Sequence, residues 1–347
     1  MPDTVTYTAE GSDLVTEIIP DAETGEYAFL MPPANVTVKA VFKKLPGRIT
    51  SASLLLQNNI TVNLYALFTE EPDNLAMTVT MNNETTELTG EPVSGETGKY
   101  RFAFEGLDPQ NIADTFTAEM TYEVNGQAYT DTLEDYSVQK YCENTLDLSD
   151  AELTPLLAEN ATLAELRTLL VDVLYYGAAA QAYMDYNTGN PATQNLTDDE
   201  MAYARIFAAP DAAKGVITDL LEGTANDQYA WKTVQVILTN AANIRLIFKA
   251  AGTENLAVEV NGTTYEGSDI VQRSSTTWYV DLHGISAGSF RDALTAKLLK
   301  NGEEIGQTLH YSMNTYVSRM YDQFDDTTNE MIQRLYNSGE SAYAYAN

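Results

Sequence analysis

The chain has few of the residues on which catalysis, disulfide bonding and metal binding usually depend. Its 347 residues include one cysteine and two histidines, so an internal disulfide is excluded. Cys142 matches Val317 in the repeat described below, which predicts a small buried side chain. His283 lies at a predicted strand end and His310 at a predicted helix start, and no nucleophile or zinc-protease motif accompanies them. We therefore predict no catalytic residues, no cofactor and no enzymatic activity.

Basic residues are also scarce. The chain has 50 acidic and 19 basic residues, a formal net charge of −31, whereas nucleic acids and anionic membranes attract clustered Lys and Arg. The charge therefore predicts no nucleic-acid binding. The sequence also contains no run of 18 apolar residues, about the length needed to span a bilayer, so we expect no direct membrane insertion. Solubility is the simplest explanation of the acidic charge, and a cationic partner is compatible with it. The N-terminus lacks the pattern of a signal peptide, and we expect the chain to come from a larger polypeptide.

What the chain does contain is a long internal repeat. A block from about residue 49 to 186 returns, shortened, from about residue 231 to 347. The offset between matched positions is 175 at Tyr136 and Tyr311 (311 minus 136) and 162 at Tyr183 and Tyr345 (345 minus 183). Copy one therefore carries 13 extra residues (175 minus 162) between its two C-terminal helices.

Apolar periodicity predicts the same fold for both copies. Six or seven alternating strands come first, and Asn-Gly pairs at 125–126, 261–262 and 301–302 predict two-residue hairpins. Such strands are typical of an antiparallel sandwich. Two helices follow, and a Ser or Thr three residues before a Glu marks helix starts at Ser149, Thr162, Thr197 and Thr327. The apolar stripe of the long helix in copy one consists of Leu166, Leu170, Val173, Gly177, Ala180 and Met184.

The predicted fold class is α+β and mainly β. We expect two tandem antiparallel β-sandwich modules, each followed by two packed helices, at 47–189 (copy one) and 230–347 (copy two). A helical connector at 190–229 should contain one helix at 201–208 and a second ending near Gly223. A small N-terminal β segment at 1–46 should have strands at 4–7, 27–29 and 36–42. Within the last of these strands the residues on one half-buried face are Val36, Val38, Ala40 and Phe42.

Two resemblances point to a cell-surface protein. The string from Gly25 to Phe42 contains Tyr-x-Phe-x-Met-Pro followed by Val-Thr-Val-x-Ala-x-Phe. It resembles the closing hairpin of small β repeats in surface proteins of Gram-positive bacteria, including the B-repeats of internalin-type adhesins. The two copies resemble tandem modules of uncharacterised surface proteins of gut Firmicutes, through the late helix from Leu174 to Tyr183. These resemblances imply an exported, modular, extracellular protein, and they bring no catalytic residues.

We therefore expect a non-catalytic, monomeric, extracellular surface module of a larger bacterial protein, secreted or held at the cell surface. Its role would be adhesion or presentation, with a host or bacterial surface protein or glycan as partner. The alternative is an accessory or carbohydrate-binding region of a secreted glycan-active enzyme. A third hypothesis is a glycosidase within the chain, which needs only two suitably spaced carboxylates among the 50 acidic residues.

Tyr175 and Tyr186 are the candidate ligand-binding residues. With Asp172 and Ala179 they lie off the apolar stripe of the long helix, where they could form an aromatic platform. The alternative is that the connector covers them. Because these tyrosines and the 13-residue insertion belong to copy one, we expect any ligand specificity there rather than in copy two.

No metal site is predicted. Structural calcium would suit an acidic surface protein, but no Asp-x-Asp-x-Asp-Gly loop is present. The acidic clusters at 198–200 and 325–326 come at predicted helix starts, where carboxylates stabilise the positive end of the helix dipole.

Overall fold

The protein is mainly β, with several antiparallel sheets and some helices. The computed structural model describes residues 4–21, 26–41, 45–55, 60–210, 220–238, 242–283, 289 and 291–347. Strands hold 42% of the residues and helices 25%, which confirms the predicted α+β class. Every strand pair in these ranges is antiparallel.

The N-terminal residues form a three-stranded sheet in the order β2-β1-β3. Its strands are β1 (Thr4–Ala9), β2 (Val15–Ile18) and β3 (Val36–Val41). The strand predicted at 27–29 is wrong: Phe29 stacks its ring on Tyr7 at 4.5 Å instead of pairing its backbone. The predicted half-buried face of β3 is also wrong, because Val38 is 51% exposed and the described strands form a single thin layer. Phe42 lies outside the described residues.

Copy one contains two four-stranded sheets, in the orders β4-β5-β9-β8 and β11-β10-β6-β7. Buried residues from both sheets and from the helices that follow belong to one hydrophobic cluster. The strands are β4 (Gly47–Leu55), β5 (Ile60–Phe68), β6 (Asp73–Met81), β7 (Glu84–Leu88), β8 (Gly90–Pro92), β9 (Lys99–Leu107), β10 (Phe116–Val124) and β11 (Gln127–Tyr136).

The strands of copy two repeat this order. One sheet runs β13-β14-β18-β17, and the other runs β12-β21-β19-β15-β16 with β20 beside β19. A second hydrophobic cluster contains buried residues of both. The strands are β12 (Leu221–Glu222), β13 (Tyr229–Leu238), β14 (Ala242–Ala250), β15 (Leu256–Val260), β16 (Thr263–Glu266), β17 (Val271–Ser274), β18 (Thr277–Leu282), β19 (Leu294–Lys300), β20 (Glu303–Glu304) and β21 (Thr308–Tyr311).

The Asn-Gly hairpins are confirmed. Asn125 and Gly126 join β10 to β11 with φ of 52° and 76°. Both angles are positive, as the two-residue type I′ turn requires. The pairs at 261–262 and 301–302 join β15 to β16 and β19 to β20 in the same way. The turns therefore set the register of three strand pairs, one of them in copy one and two in copy two.

Six α-helices occur in the described residues: α1 (Val138–Leu146), α2 (Asp150–Leu153), α3 (Leu163–Met184), α4 (Asp198–Met201), α5 (Met313–Met320) and α6 (Asp326–Ala346). The insertion of copy one lies between α1 and α3 and forms α2 with a 3-10 turn at 154–156. None of these six described helices has the length and apolarity that a bilayer crossing requires.

Three of the four predicted helix starts are confirmed. Glu152, Glu165 and Glu200 each accept a hydrogen bond from the backbone N–H of the capping residue three positions earlier, at 3.0, 2.7 and 2.7 Å. The start at Thr327 is wrong. There Asp325 caps α6 by accepting from the N–H of Thr328 at 2.8 Å, and Glu330 pairs with an arginine one turn later in the helix.

The predicted connector helix at 201–208 is also wrong. Helix α4 ends at Met201, and residues 205–210 have no regular structure. Most of the second predicted helix falls at 211–219, outside the described residues, and Leu221–Glu222 form the short strand β12. The described residues 205–210 of the connector therefore lie outside regular secondary structure.

Candidate functional site

The long helices of the two copies pack against each other in opposite directions. Asp172 of α3 contacts Ser341 of α6, and Ala180, two turns further along α3, packs on Met331. Tyr345, at the end of α6, reaches the insertion that precedes α3. The interface between the copies therefore includes Asp172, which the sequence left off the apolar stripe, and also Ala180, which the sequence placed within it.

Gly177 lies where the predicted close approach occurs. An added Cβ would sit 2.9 Å from Cδ1 of Ile112 and 3.3 Å from Cβ of Ala192, closer than real Cβ contacts normally are. Both neighbours belong to the cluster of copy one. Glycine is therefore needed here because of packing. Ala180, three residues later, turns instead towards α6.

A buried polar network joins the two helices and the connector. Asp172 is 1% exposed. Its carboxylate accepts from the hydroxyl of Ser341 at 2.5 Å and from the backbone N–H of Arg205 at 3.0 Å. The Arg205 side chain donates to the Ser341 oxygen at 3.1 Å, and Asn337 donates to the Arg205 carbonyl at 2.7 Å. Burial raises the pKa of Asp172, and the bond from Ser341 opposes this rise.

This network explains why residues 202–210 are not helical. A helix would use the N–H and C=O of Arg205 within its own ladder, but here α3 and α6 bind both groups. Two residues further on, Phe207 packs against the cluster of copy two, 5.4 Å from the ring of Tyr321 and 5.8 Å from that of Tyr336. The connector therefore holds the two long helices together.

Tyr175 lies at this interface rather than on an open platform. It is half-buried, and the guanidinium of Arg334 lies 4.2 Å from its ring centroid. It also borders a shallow pocket of about 470 Å³ beside Arg205 and Phe207. The connector and α6 together cover this side chain, which matches the alternative that the sequence left open. A role for Tyr175 in ligand binding stays a prediction.

Tyr186 belongs to a separate polar cluster around Asp114. Its hydroxyl donates to the Asp114 carboxylate at 2.6 Å, and this bond raises the pKa of Tyr186. The same carboxylate accepts from Asn82, Asn111 and Asn187 at 2.9, 2.7 and 3.2 Å. Tyr186 thus ties the end of α3 to two loops, and none of its contacts is shared with Tyr175. Its role as a ligand-binding residue stays a prediction.

Two grooves of similar size lie at matched positions in the two copies. Groove one, about 460 Å³, lies between β4, α1 and α3. Groove two, about 490 Å³, lies between β13 and α5. The strand residues 52–54 of groove one match 234–236 of groove two (234 minus 52 is 182). Tyr136 and Tyr141 of groove one likewise match Tyr311 and Tyr316 of groove two.

Each groove is completed by a tyrosine from the other copy. Tyr345 of α6 lines groove one, and Tyr183 of α3, its match in the repeat, lines groove two. The antiparallel packing of α3 on α6 produces this exchange, because it carries the last turn of each helix to the opposite copy. The sequence showed the match between the two tyrosines but gave no sign of which element they would contact.

The two exchanged tyrosines differ in their partners. The hydroxyl of Tyr345 donates to the carbonyl of Leu156 at 2.8 Å and accepts from the N–H of Ala158 at 3.1 Å. Both partners belong to the 13-residue insertion. Copy two lacks the insertion, and no hydrogen bond joins the Tyr183 hydroxyl to any described residue. Tyr183 is 39% exposed, and Phe324 beside it in groove two is 46% exposed.

Among the described residues, no carboxylate lines either groove. The charged side chain in groove two is Arg319, which takes the place of Asn144 in groove one (319 minus 175). No described acidic residue forms an ion pair with it. Groove two is therefore a locally cationic, tyrosine-rich surface on a strongly acidic chain.

The histidines, the cysteine and the acidic clusters lie apart from one another in the fold. His310 lies within β21, not at a helix start as predicted, with Nε2 3.2 Å from Glu222, while His283 is exposed. Cys142 is buried, and burial raises the pKa of its thiol. Among the described residues, no three His, Cys, Asp or Glu side chains converge on a metal position. The acidic clusters at 198–200 and 325–326 lie at the starts of α4 and α6.

Comparison with known proteins identifies no family. No family model and no curated protein matches the chain. Among solved structures, a pullulanase from Anoxybacillus sp. LM18-11 in complex with maltotriose aligns with 74% of this chain at 10% identity and a TM-score of 0.16. A chimeric titin Z1Z2 tandem aligns with 75% of this chain and 97% of its own at 8% identity and a TM-score of 0.14. The chain spans about a quarter of the pullulanase, and scores this low carry no argument about function.

Proposed function

We propose that this chain is a non-catalytic extracellular module of a larger bacterial surface protein, which adheres to or presents a surface protein or glycan. In this proposal, two sandwich-plus-helix copies at 47–189 and 230–347 form one rigid unit. The connector at 190–229 joins them, and the segment at 1–46 is a separate small β domain. The observation that carries the proposal is the pair of matched grooves, each lined by tyrosines and by no carboxylate of the described ranges.

The interface between the copies supports a binding role for the pair as a whole. Asp172, Ser341 and Asn337 are each 1% exposed, and they are joined by hydrogen bonds through Arg205. A buried network of this kind favours one relative orientation over others. Two grooves at a fixed separation suit attachment to an extended or repetitive partner, because the second contact then forms at a high effective concentration.

Glycan binding as an accessory region is the second candidate function. Tyr183, Tyr311 and Tyr316 line groove two, and tyrosine rings offer an apolar face together with a hydroxyl, as sugar binding requires. Hydrolysis has less support. A glycosidase needs two carboxylates facing its bound substrate, and the described lining of neither groove contains one.

A binding panel tests the proposal. The purified chain is passed over immobilised polysaccharides and extracellular host proteins, and the supernatant is assayed for released sugar or peptide. We expect saturable binding to at least one macromolecule, weakened by Tyr183→Ala or Tyr345→Ala and unchanged by Tyr203→Ala, which alters an exposed tyrosine outside both grooves. Turnover of a bound polymer that a single acidic substitution abolishes would contradict the proposal and restore the enzyme hypothesis.

A further inference from the structure

We propose that groove two is the docking site for a polypeptide segment of another protein, in an extended conformation, with apolar side chains and one carboxylate. The proposal rests on the binding role argued above and narrows it to one groove and one class of partner. Three observations within this chain carry it: the contacts of Tyr345 in groove one, the edge of β13 that pairs with no described strand, and the position of Arg319.

In groove one the tyrosine hydroxyl has hydrogen-bond partners that the matched tyrosine of groove two lacks among the described residues. The Tyr345 hydroxyl is satisfied by the carbonyl of Leu156 and the N–H of Ala158, two backbone groups of one peptide segment. Tyr183 occupies the matched position in groove two without such partners among the described residues. Because the two grooves share their strand and tyrosine positions, the group that suits Tyr183 is again a peptide backbone with a carbonyl and an N–H two residues apart.

The insertion also contributes side chains to groove one that groove two lacks. In groove one the insertion contributes Leu148 and Leu156 to the lining. Copy two has no insertion, and the short segment between α5 and α6 contributes the half-exposed Phe324 instead. A segment from outside would supply branched aliphatic side chains to groove two and bury the ring of Phe324.

The edge of the sheet favours an extended segment. Strand β13 ends its sheet, with β14 on one side and no described strand on the other. Five consecutive residues, 233–237, line groove two. An open edge offers backbone donors and acceptors to an added strand, while pockets beside the edge select its side chains.

Arg319 selects the charge of the segment. It lies in groove two with no described carboxylate paired to it, on a chain with 31 more acidic than basic residues. Five other described arginines each pair with an acidic side chain: Arg101, Arg167, Arg245, Arg291 and Arg334. The exposed Arg48 and Arg273 form no ion pair with a described residue, but neither lines a groove. A single carboxylate on the docked segment would form the same kind of ion pair with Arg319.

The probe for the test is a peptide with the sequence of residues 147–161, the segment that the chain itself seats on Tyr345. It carries Leu148, Leu156 and Ala158, and Glu159 directly follows Ala158. Three further carboxylates, at Asp147, Asp150 and Glu152, are kept in the scrambled peptide, which therefore controls for net charge. Fluorescence polarisation measures its binding to the full chain, with a scrambled peptide as control. We expect Tyr183→Phe to weaken binding roughly threefold to tenfold and Arg319→Ala roughly tenfold or more. The matched controls Tyr203→Phe and Arg273→Ala, which change exposed positions outside the groove, should bind as the wild type does, and circular dichroism verifies that all variants fold.

Several results would overturn the proposal. One is binding of the probe that is insensitive to Tyr183→Phe but lost with Tyr345→Phe, since that places the peptide in groove one. Others are a defined glycan whose binding depends on Tyr183, or a dimer detected by sedimentation that Tyr183→Phe dissociates. No binding of the probe up to about 1 mM also refutes it. In that case adhesion in the wider panel can still hold, so failure of this inference and failure of the proposed function are distinguishable.

Discussion

Ser341→Ala should destabilise the pair of copies by an amount that depends on pH. In the wild type the Ser341 hydroxyl donates to the buried Asp172 carboxylate at 2.5 Å and accepts from the Arg205 side chain at 3.1 Å. A hydrogen bond to a charged group contributes about 1.5–3 kcal/mol, and one between neutral groups about 0.5–1.5 kcal/mol. We therefore expect a loss of about 1.5–3 kcal/mol above the folded-state pKa of Asp172, where its carboxylate is charged.

The sign of the pH effect follows from the two influences on Asp172. Burial raises its pKa, so the buried charge costs stability above the folded-state pKa, and this cost is removed as the pH falls and the group is protonated. The Ser341 bond lowers the pKa and therefore contributes most when Asp172 is charged. The penalty of Ser341→Ala should accordingly shrink towards about 0.5–1.5 kcal/mol as the pH falls through the folded-state pKa of Asp172.

Urea unfolding followed by circular dichroism, at neutral pH and at about pH 4, measures this difference. Wild type and variant are compared at each pH, which cancels the titration of the other acidic groups. Ser338→Ala is the matched control, because Ser338 is a buried serine of the same helix with no bond to Asp172. A Ser341→Ala penalty that is the same at both pH values, or no larger than that of Ser338→Ala, would refute the assigned role of the network.

Three further results are expected. Gly177→Leu should lower the melting temperature by an amount equivalent to about 1–3 kcal/mol, because the larger side chain overpacks against Ile112. The control Gly189→Ala, whose added Cβ meets open space, should leave the melting temperature unchanged. Equal melting temperatures for wild type and Gly177→Leu would contradict the placement of α3. Tyr345→Phe should cost about 1–2 kcal/mol by removing two hydrogen bonds to the insertion, with faster proteolysis near residues 156–158 seen by mass spectrometry; unchanged proteolysis would argue against that contact. Cys142 is buried with a raised thiol pKa, so Ellman's reagent should label it only after unfolding, and rapid labelling of the native chain would show that the core of copy one opens.

Local signals in the sequence predicted much of the fold. Asn125-Gly126 takes positive φ at both positions because these two residues tolerate it, and Thr162 with Glu165 satisfies helix N–H groups within four residues. Such features need no knowledge of the tertiary structure. The stripe through Gly177 was likewise readable, since a period of 3.6 residues identifies a buried face.

The wrong or missing predictions concern features that residues distant in the sequence determine. Residues 201–208 have a helix-forming composition, yet side chains of α3 and α6 bind the backbone of Arg205. Periodicity placed Asp172 and Tyr175 off the stripe correctly, but it could not show that a second helix covers them. The sequence could not predict that Tyr183 and Tyr345 each line the groove of the other copy, because this depends on the antiparallel packing of α3 on α6.

The insertion changes where ligand specificity is to be sought. The sequence favoured copy one, because the 13 extra residues occur there. In the structure those residues are used within the molecule: Leu156 and Ala158 bind Tyr345, and Leu148 packs on the core of copy one. The insertion satisfies the hydroxyl of Tyr345. In copy two, among the described residues, the Tyr183 hydroxyl has no hydrogen bond, Arg319 has no ion pair, and β13 has a neighbouring strand on one side only. The same feature that marked copy one in the sequence is therefore the physical reason to look for the partner at copy two.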